Sequence, residues 1–340
     1  MGSCFSDAMG QRFAECGFDV LSNPFGTLYN PQSIAECLKR SMAQTPLTAD
    51  DIIFHNGLWH SWLHHGSFSN QYRLAMLARC NESIHRTGQR LAVSEARGSA
   101  PLSAGKEVKF SNLPTFQPSN LSNPSNLPFP HSNTQAPKQS HTLTLLFTFG
   151  TAYVFRHDGR VVANCHKLPA QQFQRSRLSV DDIVTLWRPL LELFRQQGHL
   201  TILTVSPIRH LADGAHGNQL SKATLLLAVE QLCNDGLAEY FPAYEILLDE
   251  LRDYRFYADD MCHPSALAER IVWQRFQQTY MSPETLALCD KHRQLTRLRQ
   301  HRPLHPGTPE HEKYQAALAT LEAQCSPRNE PPEVLSNPVG

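Results

Sequence analysis

The 340-residue sequence has no excess charge of either sign: Lys and Arg number 31, and Asp and Glu number 31. A protein that binds nucleic acid by neutralising phosphates needs a basic surplus, so that class is set aside. Long hydrophobic runs are also missing. None approaches the roughly 18–20 apolar residues of a membrane helix, and the first fifteen residues are too polar for a secretory signal. The nine cysteines include no C-x-x-C pair. An odd, unpatterned set of that kind fits free thiols in a reducing, cytoplasmic setting. No glycine-rich phosphate loop appears, and no cofactor is implied.

What is present is enough for a sizeable core, with 41% hydrophobic and 9% aromatic residues. Histidine is abundant, at 17. His55, His60, His64 and His65 form one cluster, and His292, His301, His305 and His311 another. The first is interleaved with Trp59, Trp62 and Phe68, and reads as core or pocket rather than as a metal site.

Short apolar runs at Thr142–Phe149, Leu200–Val205, Tyr240–Ile246 and Gly17–Leu21 predict strands. Helical patterns fall at Gln32–Ser41, Asn70–Ala92, Val180–Arg195, Gln219–Cys233 and Ala266–Thr279. Strands alternating with helices of this length predict an α/β fold with a mostly parallel sheet. In such sheets the site sits at the carboxyl ends of the strands. Residues 98–141 break the pattern: SNLP and SNPSNLP recur with frequent proline and little charge, which predicts a disordered insertion. From residue 283 the chain turns polar, with a basic helical face and then an acidic helix, Pro309–Gln324. The expected division is therefore a domain over 1–282, interrupted by the insertion, and a polar helical extension with a disordered tail over 283–340.

Asp260-Met261-Cys262-His263-Pro264 is the most informative local signal. A carboxylate three residues before a histidine can turn back to accept the Nδ1–H, fixing the tautomer and stabilising the imidazolium. A nucleophile for that pair is available at Gly2-Ser3-Cys4-Phe5, where small residues precede a helical segment and permit a sharp turn. Other predicted strand ends carry small or polar residues: Gly26 in NPFGTLYNP, Gly150 and Thr151 in FGTA, and Ser206 and Arg209 in SPIRH.

Together GSCF, NPFGTLYNP, HNGLWHSWLHH, FGTAYVF, VVANCHKLPA, TVSPIRH, NQLSKATLLLA, FPAYEILLDELRDYRFYADDMCHPS and IVWQRF resemble the GSCFA-domain family, in order over most of residues 1–280. That family is grouped with the SGNH/GDSL hydrolases. The resemblance implies a flavodoxin-like three-layer α/β/α sandwich, a nucleophile in the GSCF block, an oxyanion glycine at Gly26, and the Asp260/His263 pair. In the GDSL register the nucleophile's place falls on Cys4, and Ser3 is the alternative; a thiol beside a histidine is chemically able. The superfamily's G-x-N-D block here reads Gly150-Thr151-Ala152-Tyr153, so its asparagine donor is absent. Asn164 or His166 could replace it, and Thr151, Ser206 and Arg209 are further polar candidates. The HNGLWHSWLHH block, with Asn56, Trp59 and His60, is expected to line an acyl or sugar pocket. Family members carry a first strand upstream of GSCF, so the sheet is expected to lack a member and to leave an edge unpaired. Met1–Ser6 also fits a myristoylation pattern, but the longer resemblance accounts for the same residues.

The expected function is a cytoplasmic esterase or acyltransferase with a Cys/Ser–His–Asp triad. Its expected partner is a small-molecule or glycan acyl ester, with neither nucleic acid nor membrane involved and the oligomeric state left open. A catalytically inactive binding protein on the same scaffold is the alternative.

Overall fold

The structure is a computed structural model and describes residues 1–92, 143–300 and 307–325. The low-complexity insertion falls outside the described residues, as does the chain beyond 325.

β3 (Thr144–Phe149) and β7 (Leu200–Val205) are nearly continuous apolar runs because they lie inside, and they pair in parallel from Thr144↔Leu200 to Phe149↔Val205. β8 (Glu239–Tyr240) adds a short parallel strand on the far side of β7, giving the order β3-β7-β8. It is shorter than the predicted Tyr240–Ile246 strand. After Pro242 the chain coils into a helical turn, α6 (Ala243–Glu245), and a π-helical stretch, Ile246–Leu251. The free edge of β3 is met by Met1 and Gly2: Thr148 N–H donates to Met1 O, and Gly2 forms a parallel bridge with Thr148. A short parallel sheet flanked by helices is therefore the centre of this mixed α/β fold.

Helix boundaries follow local chemistry. α2 (Pro31–Met42) starts with Pro31, and its N-cap Asn30 accepts from Ser33 N–H at 2.7 Å. α4 (Val180–Gln196) opens on a capping box, with Ser179 and Asp182 bonded reciprocally. α3 (Arg73–Ala92), α5 (Gly214–Asn234) and α7 (Ala266–Tyr280) are the other long helices between residues 21 and 280. Trp187 of α4 anchors the core. It is fully buried, donates Nε1–H to Pro31 O at 3.1 Å, and packs edge-on against Phe147 and Phe149 of β3.

Two antiparallel elements were not expected from the sequence. β1 (Ile52–His55) and β2 (Leu58–Ser61) form a hairpin whose two-residue turn, Asn56-Gly57, has φ of 50° and 77°. β4 (Tyr153–His157), β5 (Arg160–Val162) and β6 (Gln174–Arg177) form a second sheet, with Asp158-Gly159 turning at φ of 49° and 76°. Positive φ at both central residues is the two-residue hairpin geometry that Asn-Gly and Asp-Gly favour.

The predicted strand Gly17–Leu21 is absent, and the reason is the end of α1 (Cys4–Glu15). Gly17, at φ 84°, donates its N–H to Ala14 O, while Phe18 N–H reaches back to Phe13 O. The Phe13 and Phe18 rings meet edge-on at 5.5 Å. That is a Schellman cap with its hydrophobic contact, so the apolar residue after the glycine closes a helix and does not begin a strand.

The described residues divide into two compact units, one of residues 1–9 and 21–280 and one of 10–20 and 281–340. The second contains α8 (Pro283–Gln300) and α9 (Pro309–Cys325), joined by an Arg299–Glu322 ion pair and by Tyr314 Oη–H donating to Leu298 O. Sequence placed the division at 282/283; residues 10–20 join the later segment. No helix among the described residues is long and apolar enough to cross a membrane.

Candidate active site

The carboxyl ends of β3 and β7 gather a buried polar cluster. Beyond Phe149, the Gly150 and Thr151 N–H groups both donate to Tyr29 O at 2.8 Å. Beyond Val205, Ser206 N–H donates to Phe149 O at 2.8 Å. The Ser206 hydroxyl, fully buried, accepts from the Ser3 hydroxyl at 3.0 Å and from Ile208 N–H. Ser3 is itself only 1% exposed.

The Gly2-Ser3-Cys4 turn is held by Asn23, a residue the sequence analysis passed over. Its side-chain oxygen accepts the Gly2 N–H at 2.8 Å, its amide reaches Ser3 O at 3.4 Å, and its own backbone is left-handed, at φ 35°. Cys4 then opens α1. Its thiol is partly exposed and lies 3.7 Å from the Tyr29 hydroxyl, whose own ionisation is pushed up by burial. The first N–H groups of a helix have no acceptor within it. Here the Ser6 N–H donates to Ser3 O at 2.9 Å, which leaves the Cys4 and Phe5 N–H groups beside the thiol.

Asp260 and His263 are exposed and bonded to each other, with Nδ1 to Oδ2 at 2.5 Å. The other carboxylate oxygen accepts the His263 and Cys262 N–H groups, each at 2.9 Å. These bonds, the backbone N–H of His263 first among them, hold the Asp260 carboxyl down at about 2. Asp260 is therefore ionised through the physiological range and holds the imidazole in one orientation. Among the described residues, neither the Ser3 hydroxyl nor the Cys4 thiol is hydrogen-bonded to His263. One loop touches both parties, however. Ser206 meets Ser3, and three residues later Arg209 donates its N–H to Cys262 O at 3.2 Å, with its guanidinium over the Tyr257 ring.

Other predicted site residues are engaged elsewhere. Gly26 donates its N–H to Asn23 O at 2.7 Å, so that group already closes a turn. Gly26 is at φ 76°, and a β-carbon there would overlap the His65 side chain; that close approach is what requires glycine. Asn56 is a hairpin-turn residue. Trp59 packs on Phe54 and beneath the Arg73 guanidinium. His60 is buried, with its ring nitrogens bonded to Ser69 Oγ and His55 O. Asn164 accepts the His166 N–H, and His166 Nε2–H donates to Ser61 O while its ring lies 4.5 Å from that of His60. Thr151 bonds Ser221 Oγ and accepts from Tyr153 N–H. Among the described residues no set of three His, Cys, Asp or Glu side chains is arranged to hold a metal ion.

Lys222 and His210, within the NQLSKATLLLA and TVSPIRH blocks, also lie at the site. Lys222 of α5 is 1% exposed and donates to Gly150 O and Ser206 O, both at 2.7 Å; burial pushes its ammonium down to about 7. His210 is pushed down to about 4 by burial and by Lys222.

Three imidazoles are held neutral by burial: His64 at about 3, His166 at about 4 and His210 at about 4, from an ordinary value of 6.5. A folded value below the unfolded one means that the unfolded chain binds protons first as pH falls. Stability should therefore decline from about pH 6.5 towards 4, with His166 alone contributing about 2–3 kcal/mol of that loss. Urea midpoints at pH 7, 5.5 and 4.5 would measure it. His166→Asn, which tolerates the φ of 49° at that position, should flatten the slope, and an unchanged slope would refute the assignment.

A mixed α/β scaffold with polar residues converging at the carboxyl ends of a parallel sheet is the arrangement of many ligand-binding and catalytic proteins. The GSCFA family matches residues 1–96 and 128–276, and the chain belongs to that family. No curated protein and no solved structure matches it.

Proposed function

We propose that this protein is an acyl-group hydrolase or transferase of the SGNH type on a flavodoxin-like α/β/α scaffold. Cys4 is the nucleophile, His263 the general base and acid, and Asp260 its orienting carboxylate. The observation that carries the reading is the Ser206–His210 loop, which hydrogen-bonds the nucleophile turn at one end and the Asp260–His263 turn at the other. Cys4 is favoured over Ser3 because Ser3 is buried and its hydroxyl donates to Ser206, whereas Cys4 is only half-buried.

In this reading Cys4 Sγ attacks the carbonyl carbon of an ester or thioester, and His263 takes the thiol proton. The tetrahedral oxyanion is met by the Cys4 and Phe5 N–H groups in the first turn of α1, in place of the Gly26 N–H, which is already bonded. Collapse breaks the bond to the leaving alcohol or thiol, which receives the proton from His263 and leaves a thioester on Cys4. Water or an acceptor hydroxyl then attacks that thioester by the reverse sequence. In this reading His263 closes on the thiol when substrate binds, since catalytic hydrogen bonds are often long before then.

Incubation with p-nitrophenyl acetate, followed by intact-mass analysis, tests this. A burst of nitrophenolate with an acetyl adduct mapped to Cys4 and blocked by iodoacetamide is expected. An adduct on Ser3 would reassign the nucleophile. Ligand binding that persists in a Ser3/Cys4 double alanine variant, with no adduct on any residue in the parent, would instead support a binding protein.

A further inference from the structure

A fully buried lysine normally meets a carboxylate, because an unpaired charge in the interior is costly. Lys222 meets none among the described residues: its partners are two main-chain carbonyls, with the Tyr244 ring 5.5 Å away. The two carbonyls belong to Gly150 and Ser206, the first residues beyond β3 and β7. From each a hydrogen-bonded route leads to the same turn. Ser206 accepts the Ser3 hydroxyl through its side chain. Gly150 donates its N–H to Tyr29 O, and the Tyr29 hydroxyl lies against the Cys4 thiol. One ammonium thus sits where two paths diverge, and they meet again at adjacent residues, Ser3 and Cys4.

We propose that Lys222 is a positioning residue for the Cys4 site, tying the ends of β3 and β7 together so that Ser206 and Tyr29 hold the Ser3–Cys4 turn in its reactive geometry. This rests on the reading of Cys4 as the reactive group, and adds to it a residue that touches neither substrate nor thiol. Its neighbours leave it no other occupation. Ser221, next in the chain, is taken up by Ala152 N–H and Thr151, and Asn218, one helical turn away, by His210 N–H.

The test uses two substitutions in the full chain. Lys222→Met keeps the length and removes all donors; Lys222→Gln keeps two donors for the two carbonyls and removes the charge. Two readouts are taken on protein shown by circular dichroism to be folded: the p-nitrophenyl acetate burst rate, and the pH profile of Cys4 alkylation by iodoacetamide. Lys222→Met should slow the burst about tenfold or more with little change in KM, and should displace the alkylation profile, because small misplacements of a reacting group are costly. Lys222→Gln should recover a substantial part of both. A purely structural lysine would lower the melting temperature and leave the rate and the alkylation profile of the folded protein within about twofold of the parent, which would overturn the proposal. If the parent forms no acyl adduct, the acyl-transfer reading fails, while the alkylation profile still decides the role of Lys222. If Lys222→Met does not fold, Ser206→Ala cuts the Ser3 branch without touching the ammonium. Unchanged alkylation in both Ser206→Ala and Lys222→Gln would then refute the proposal.

Discussion

Replacing Gly88 by alanine should destabilise the fold by about 2–3 kcal/mol, although alanine is the better helix former by about 1 kcal/mol. Gly88 lies in α3 where that helix crosses the end of α2. A β-carbon there would fall on the Ser41 carbonyl and on the Gln44 side-chain amide. The Gln44 amide can swing away, but the Ser41 carbonyl is part of α2 and already accepts the Gln44 amide at 2.7 Å. Neighbouring Ser41, Ser83 and Thr87 are buried, and their hydroxyls are bonded to main-chain carbonyls, so this crossing has no slack side chain to yield. The two helices must separate, and the apolar residues beside the crossing lose contact. Equilibrium urea unfolding measures the effect; a midpoint equal to or above that of the parent would show that the crossing can relax.

His263→Ala should reduce acylation of Cys4 by about 10²–10⁴-fold, the usual contribution of general acid–base catalysis, with the unfolding midpoint unchanged. Stability should not move because both members of the Asp260–His263 pair are exposed. Asp260→Asn should cost less. The asparagine oxygen can still accept the Cys262 and His263 N–H groups, but its amide would face Nδ1 and favour the wrong tautomer. Because the Asp260 carboxyl is held at about 2, any change in rate between pH 5 and 8 belongs to other groups of the site. The burst amplitude and rate with p-nitrophenyl acetate, followed from pH 5 to 8 in both variants, supply the check. Activity that survives His263→Ala would remove His263 from the mechanism.

The parts of the molecule visible in the sequence are those where one local rule dominates. β7 and the second half of β3 are buried and so read as nearly continuous apolar runs, and α2 and α4 carry their caps in plain view at Asn30 and Ser179. The Asp260–His263 hydrogen bond follows from a three-residue spacing alone. Neither hairpin was expected: Asn56-Gly57 and Asp158-Gly159 are turn signals, but the flanking strands are short and β6 is exposed throughout, so no alternation advertised them. Gly17 misled because a glycine followed by an apolar residue suits a helix stop as well as a strand start. Lys222 and Asn23 lie in the NQLSKATLLLA and NPFGTLYNP blocks, but nothing local in those blocks gave either a role. Only the tertiary structure sets the lysine between two carbonyls.

The span of the Ser3–Ser206 bond also bears on how the chain acquires its site. That bond joins residues 203 apart in sequence. The hairpins at Asn56-Gly57 and Asp158-Gly159 close over two residues each, and such turns form in about 1–10 μs. Long-range pairing must wait, because the entropy of closing a large loop is paid before any contact rewards it. Residues 206 and 263 follow the Ser3–Cys4 turn by about 200 and 260 residues of synthesis. The expected order of events is therefore hairpins first, the β3–β7 pair next, and the Ser3–Ser206 bond last, so that a partly synthesised chain holds the Ser3–Cys4 turn without the contacts that fix it.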